Sequence, residues 1–117
     1  MKRSGEEKRK QKELIRAMVS LAPVMQQGTL VRNYRRCGNP NCRCARGQKH
    51  GPHYYLSTRR GGKTKMDYTP KILMNQMKKE LGNYRKFKQL LRELLELNYQ
   101  TFLEERSELK ERKKDVR

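Results

Sequence analysis

Three cysteines and two histidines fall within 17 residues near the middle of this 117-residue chain, in the order Cys37-x4-Cys42-x-Cys44-x5-His50-x2-His53. Thiolate sulfur and imidazole nitrogen are the ligands that zinc prefers in four-coordinate structural sites. An odd number of closely spaced cysteines suits a metal site in a reducing compartment better than a disulfide framework. We therefore predict that a Zn2+ ion is bound by the three cysteines and one histidine.

The choice of the fourth ligand depends on the backbone around the cysteines. Cys42 and Cys44 are two residues apart, so in an extended segment their side chains would point the same way. We prefer His50 as the fourth ligand, because the loop of residues 45–49 gives it room to fold back. His53 is the alternative, although it adjoins a predicted strand and suits packing or contact with nucleic acid equally well.

Other chemistries of this segment fit the sequence less well. Free thiols would leave a 15-residue glycine-rich loop, residues 37–51, with no evident reason to be ordered. A redox sensor built on low-pKa thiols would leave the clustered histidines unexplained. A catalytic zinc usually needs a nearby general base, but residues 37–53 contain no Asp or Glu. We therefore expect a structural metal and no enzymatic activity, and the shortage of acids argues against a nuclease subunit.

The charge is concentrated in the same part of the chain. The formal net charge is +18, and residues 29–69 carry ten basic side chains against one acid, Asp67. A single-sign segment of this kind is typical of a protein that binds a polyanion, so we predict nucleic-acid binding. Tyrosine among basic residues can stack on unpaired bases, although duplex DNA, single strands and RNA all stay open as ligands. The predicted binding residues are Arg32, Arg35, Arg36, Arg43, Arg46, Lys49, Tyr55, Arg59, Arg60, Lys63 and Lys65.

Strand patterns surround the cysteine segment. Short runs of β-forming residues predict antiparallel strands over residues 30–36, 54–58 and 64–68, and Gly61-Gly62 predicts a hairpin between the last two. Alternation along the strands predicts one thinly apolar face and one basic face. Residues 29–69 would form a basic β module with a zinc-clipped loop. The predicted fold class is α+β, with this small three-stranded sheet flanked by an N-terminal helix and a long C-terminal helix.

Helical patterns occupy both ends of the chain. Residues 1–28 predict an N-terminal helix and turn, with Ser4 opening a capping box. Residues 70–117 predict a long helix with a charged tail, starting with Thr69 as N-cap and Pro70 as the first helical residue. Only 33% of the chain is hydrophobic and 36% is charged, so the core must be thin.

The long helix has more apolar side chains than a thin core can cover. We expect its first half to pack within the protein and residues 84–103 to meet a second copy, giving a homodimer, or another protein. Asn98 would mark either a break in the helix or a polar position in its seam. An adaptor that docks on a nucleoprotein enzyme through this helix is therefore the alternative to the nucleic-acid-binding function.

Targeting signals are not evident in the sequence. No stretch approaches the 18 apolar residues of a membrane-spanning helix. The first residues are basic and then charged, without the apolar run of a signal peptide. We expect a cytoplasmic protein with no membrane partner.

Three motifs surround the metal ligands: TLVRNYRRCG at residues 29–38, CRCARG at 42–47 and HGPHYYL at 50–56. Together they resemble a family of small uncharacterised basic proteins of bacteria and archaea that is loosely associated with mobile genetic elements. The resemblance covers roughly residues 28–100 and implies no activity. It points to DNA handled during transposition, or to RNA–protein complexes encoded nearby. It also implies that four residues belong together as a unit: Cys37, Cys42, Cys44 and His50.

Overall fold

The computed structural model describes residues 5–116 and confirms the predicted α+β class. An N-terminal helix, a three-stranded antiparallel sheet and a long C-terminal helix follow one another along the chain. Among the described residues no helix is long and apolar enough to cross a membrane. The elements are α1 (Gly5–Leu21), a 3-10 turn (Ala22–Val24), β1 (Thr29–Arg35), a 3-10 turn (Arg43–Arg46), β2 (His50–Arg60), β3 (Lys63–Thr69), a 3-10 turn (Lys71–Leu73) and α2 (Met74–Val116).

The chain divides into two compact units. Residues 25–82 form the sheet unit, which contains the three strands, the cysteine loop and the first turns of α2. The remaining described residues, 5–24 and 83–116, form the helical unit from α1 and the rest of α2.

The sheet has the strand order β1-β2-β3. The predicted hairpin between β2 and β3 is confirmed: Arg60 pairs with Lys63, and Gly61 and Gly62 have φ values of 58° and 77°. Two successive positive φ angles are those of a tight turn that matches the twist of the strands, which explains the glycine pair. β2 begins at His50, four residues earlier than predicted, so it extends directly from the cysteine loop.

The prediction of one apolar and one basic face is wrong. Residues directly opposite in an antiparallel pair point to the same side of the sheet. Arg32, Tyr54 and Thr69 therefore share one face, whereas Tyr55 and Tyr68 lie on the other. β1 and β2 each carry one basic residue on each face, whereas Lys63 and Lys65 of β3 share the face of Arg32. Both faces therefore carry basic side chains, and neither is purely basic.

The core of the sheet unit is small. Its buried side chains are Cys44, Thr69, Met74 and Leu81. The loop before β1 lies close against β2, because a Cβ atom on Gly28, whose φ is 145°, would be 2.8 Å from the Leu56 Cδ1 atom. Only glycine fits at that position without moving its neighbours.

The long helix begins later than predicted, at Met74 and not at Pro70. Thr69 ends β3 and its hydroxyl donates to the Asp67 carbonyl at 3.4 Å, so it does not cap a helix. Pro70 is extended (φ −59°, ψ 149°) and precedes a 3-10 turn, after which α2 begins at Met74. The predicted capping residue of α1, Ser4, lies outside the described residues.

In the helical unit, α1 and α2 run antiparallel. The Gln11 side-chain amide donates to the Asn98 amide oxygen at 3.2 Å, and the Thr101 hydroxyl donates to the Glu7 carboxylate at 3.3 Å. Asn98 is thus a polar seam position and does not interrupt the helix. Close to this seam, a hydrogen bond with Glu7 and the like charge of Glu7 raise the pKa of the Glu104 carboxyl.

Candidate metal centre

The four predicted ligands lie on the connection between β1 and β2. Cys37 follows the end of β1, Cys42 and Cys44 lie at the start of the 3-10 turn, and His50 is the first residue of β2. The two strands are adjacent and antiparallel, with Arg35 opposite His50. Both ends of the loop are therefore held next to each other by the sheet.

The segment around Cys42 is a series of tight turns. The Asn39 side-chain oxygen accepts a hydrogen bond from the Asn41 N–H at 3.0 Å, and the Asn39 carbonyl accepts one from the Cys42 N–H at 3.1 Å. The Cys42 carbonyl in turn accepts a hydrogen bond from the Ala45 N–H at 3.1 Å. Asparagine favours such turns because its side chain can bond to the backbone two residues on. The turn brings Cys42 and Cys44 to one site by folding the backbone between them.

The ligand atoms of Cys37, Cys42, Cys44 and His50 lie within 4.8 Å of one another and could hold a metal ion. The Cys37 and Cys44 sulfurs are 3.4 Å apart, and the Cys42 sulfur is 3.0 Å from His50 Nε2. A tetrahedral zinc with Zn–S bonds of about 2.3 Å has sulfurs about 3.8 Å apart and S–N separations of about 3.6 Å. The two observed separations are shorter than these values by about 0.4 and 0.6 Å, and all four ligand atoms lie within 4.8 Å of one another, so small side-chain adjustments would fit the residues to a four-coordinate ion.

The thiols have different surroundings. Cys44 is 1% exposed, whereas Cys37 and His50 are exposed. A backbone hydrogen bond from Asn39, with smaller contributions from the Cys44 and Cys42 thiols, lowers the pKa of Cys37. The Cys37 N–H donates a hydrogen bond to the Cys44 sulfur at 3.3 Å, and this bond by itself would lower the pKa of Cys44. Burial and the two neighbouring thiols outweigh that bond and raise the pKa of Cys44 overall.

A strand irregularity adjoins the histidine. The pairing of β1 with β2 shifts between Asn33 and Arg35, which is a bulge beside the site. Gly51 has φ 135°, and a Cβ atom there would be 2.8 Å from the Asn33 carbonyl oxygen. This close approach of the two backbones, immediately after His50, requires glycine. The close approach therefore explains why glycine follows the histidine in the His-Gly-Pro motif.

The structure brings His50, and not His53, to the three sulfurs. In the strand ladder His53 pairs with Asn33, and among residues 5–116 it belongs to no group of potential metal ligands. The sequence left the choice between His50 and His53 open. In the structure β2 begins at His50, directly after the cysteine loop, so this imidazole is the one that lies beside the sulfurs.

All ten predicted basic residues are exposed, and they lie mainly at the two ends of β2. At 3.4 Å per residue, this 11-residue strand is about 34 Å long. In the part of the chain that the structure describes, Lys65 alone among the ten has an ion pair, with Asp67 at 3.8 Å. One group surrounds the cysteine loop (Arg35, Arg36, Arg43, Arg46 and Lys49), another surrounds the hairpin (Arg59, Arg60, Lys63 and Lys65), and Arg32 lies within β1.

Tyr68 and Lys71 are exposed residues outside the predicted binding set, although Tyr68 is one of the tyrosines that lie among the basic residues in the sequence. The rings of Tyr55 and Tyr68 meet edge to face with centroids 5.8 Å apart, and the Arg35 guanidinium lies 5.1 Å from the Tyr55 ring centroid. The register of β2 with β3, which puts Tyr68 opposite Tyr55, is the signal that could have identified Tyr68. A cleft of about 360 Å³ lies beside it, lined by Gly51, Pro52, His53, Tyr54, Tyr68, Thr69 and Lys71.

Comparison with known proteins identifies one family. The family described as "Domain of unknown function (DUF6788)" matches residues 4–79. The matched segment contains α1, the whole sheet and all four potential metal ligands. No curated protein and no solved structure matches the chain.

Proposed function

We propose that this chain, which belongs to the DUF6788 family, is a non-enzymatic nucleic-acid-binding accessory protein with a structural zinc site. The observation that carries the proposal is the set of ten exposed basic side chains between residues 29 and 69, with one acid among them. Exposed cations without partner carboxylates favour a polyanion as ligand, since phosphates would supply the missing counter-charge.

The donor set supports zinc as the metal. Three thiolates and one imidazole complete the four-coordinate shell of a structural zinc and leave no position for a substrate or a reactive water. Softer donors of this kind disfavour magnesium and calcium, which prefer oxygen. The ion would connect β1, the 3-10 turn and β2, and so hold the arginines of a loop that has almost no apolar core.

Metal analysis of a matched pair of variants tests the zinc site. The purified protein is expected to contain one zinc per chain, and His50→Ala is expected to lose it together with the order of the loop. His53→Ala is the control, because that imidazole lies outside the cluster and its loss should leave the zinc in place. Equal zinc retention by the two variants would contradict the site.

Salt-titrated binding with charge reversal tests the nucleic-acid function. Reversing Arg35, Arg36, Arg59 and Arg60 to Glu should make the plot of log affinity against log salt shallower by about 3, because each lost contact contributes roughly 0.7–0.9 to the slope. Affinity at low salt should fall as well.

The control for charge reversal makes the same change in net charge on α1. Lys8, Arg9, Lys12 and Arg16 are exposed residues of the helical unit. If their reversal to Glu weakened binding as much as reversal in the sheet unit, the location of the interface would be wrong. Salt-insensitive or absent binding by the unaltered protein would contradict the function itself.

Two further parts of the proposal rest on the sequence. The three thiols and the absence of a disulfide pattern favour the cytoplasm, where thiols stay reduced. The resemblance to proteins associated with mobile elements favours nucleic acid of such an element, or an RNA–protein complex encoded near it, as the target.

An exposed apolar row on α2 favours a second candidate function, an adaptor that docks on another protein. At 100° per residue, the row falls within roughly an 80° arc of the helix. Its side chains are all at least one-third exposed, which is typical of a helix face that binds another protein. The row comprises Leu91, Leu95, Tyr99, Phe102 and Leu109.

The two candidate functions separate by experiment. Charge reversal in the sheet unit should abolish nucleic-acid binding and leave docking through α2 intact. Replacing Leu95 and Phe102 by Glu should have the opposite effect. A second copy is one candidate occupant of the row, and sedimentation that shows only monomer at high concentration would exclude it.

A further inference from the structure

One face of the sheet carries aromatic rings in a field of positive charge. We call it the tyrosine face and define it by Arg35, Tyr55, Met66 and Tyr68. Val31, Tyr55 and Tyr68 are directly opposite one another on the three strands, and Ser57 is opposite Met66, so all point to this side. Tyr68 is 58% exposed and Met66 is nearly half exposed.

An exposed aromatic ring near the end of β3 has no obvious structural use here. The Tyr68 and Tyr55 rings meet in an edge-to-face arrangement, and more than half of Tyr68 stays open to solvent. Tyr55 is further covered by the Arg35 guanidinium. The geometry therefore presents one open ring with a cation on the neighbouring tyrosine.

We propose that the bound nucleic acid is an unpaired strand, with one base stacked on Tyr68 and its phosphates contacting Arg35 and Lys71. This inference rests on the proposed nucleic-acid-binding function and names its substrate class. Rings exposed on a sheet bind the π-faces of bases, which are accessible in a single strand and hidden within a duplex.

The cleft beside Tyr68 is the second observation that favours an unpaired strand. Its volume of about 360 Å³ is at the lower end of the range of small-ligand sites, which suits one nucleotide unit. Tyr68 lines it together with His53 and Lys71. These residues offer a stacking surface, an imidazole for hydrogen bonds with a base edge and a cation for a phosphate.

Direct binding measurements distinguish the strand types. Fluorescence anisotropy with the zinc-loaded full chain would compare labelled oligothymidylate, the matching oligouridylate, and oligothymidylate annealed to its complement. Both single strands are expected to bind at least roughly tenfold more tightly than the duplex at matched salt. The relative affinity of the DNA and RNA strands identifies the source of the bound strand.

Tyrosine variants test the stacking residue. Tyr68→Ala should weaken single-strand binding by about 5- to 150-fold, the effect of losing one base–aromatic stack, whereas Tyr68→Phe should retain most of the affinity. Tyr99→Ala is the matched control, because Tyr99 is similarly exposed (53%) but belongs to the helical unit. Retained zinc together with unchanged circular dichroism shows that each variant has folded.

A fluorescent reporter gives an independent readout. The chain has no tryptophan, so Tyr68→Trp introduces a single indole. Its emission should be quenched when a single strand binds, and that of Tyr99→Trp should not change.

The outcomes separate this inference from the function on which it rests. Equal or tighter binding of the duplex, with Tyr68→Ala unaltered, would overturn the inference and leave nucleic-acid binding in place. Absence of binding to all three probes would overturn both. Preference for single strands that is lost in Tyr68→Ala, but not in Tyr99→Ala, supports the inference.

Discussion

Gly51 gives a prediction whose magnitude follows from the backbone. Replacing it by Ala forces a side chain onto a residue with φ 135°, which costs on the order of 1–3 kcal/mol. The added Cβ would also lie 2.8 Å from the Asn33 carbonyl oxygen, about 0.6 Å inside ordinary contact. Overpacking of this kind adds about 1–3 kcal/mol. The total is about 2–6 kcal/mol, imposed next to the ligand His50.

Gly47 separates the two contributions. It has a similar φ of 128°, but a Cβ atom there would meet nothing within 4 Å, so Gly47→Ala should cost only the backbone strain. Since zinc binding and loop order are coupled, each 1.4 kcal/mol should weaken zinc binding about tenfold. Competition with a chelator measures this affinity. The reasoning would be refuted if the Gly51→Ala and Gly47→Ala variants bound zinc with equal affinity, or if Gly51→Ala bound zinc as tightly as the unaltered protein.

Three other expectations concern the helices and the metal. Glu104→Gln should raise the melting temperature at pH 7, because the charge of Glu7 disfavours the ionised form of Glu104. The gain should shrink as the pH falls toward the usual glutamate pKa of about 4.3, because the wild-type Glu104 carboxyl then becomes protonated in both the folded and the unfolded state. If the variant and the wild type differed in melting temperature as much at pH 3 as at pH 7, repulsion by Glu7 would not be the cause. Replacing Leu95 and Phe102 by Glu should reduce self-association in sedimentation without changing nucleic-acid affinity; no change in association would remove the apolar row as an interface. Chelation of the metal should disorder the cysteine loop in NMR spectra while the helical circular dichroism is largely kept, and a complete loss of helix would contradict a local role of the metal.

Local sequence signals predicted the elements well. The glycine pair predicted the hairpin between β2 and β3, because glycine is favoured where a tight hairpin turn needs two successive positive φ values. Zinc chemistry predicted the ligand cluster from residue types alone, because thiols and imidazoles that are close in sequence can be brought together by one loop.

Features set by tertiary structure were not predicted. The distribution of basic residues over both faces of the sheet depends on the strand register, which one sequence does not specify. Thr69-Pro70 has the composition of a helix start, yet pairing with β2 retains Thr69 in the sheet and delays α2 to Met74. The position of Tyr68 directly opposite Tyr55 likewise required the alignment of β3 against β2. In each case a long-range contact overrides a local preference.

The metal shell is the central claim, and X-ray absorption at the zinc edge of the purified protein tests it most directly. We predict that one zinc per chain is surrounded by three sulfurs at about 2.3 Å and one nitrogen at about 2.0 Å. These would be the atoms of Cys37, Cys42, Cys44 and His50. A first shell of oxygen and nitrogen only, or a cysteine loop that stays ordered in protein purified without metal, would contradict the account.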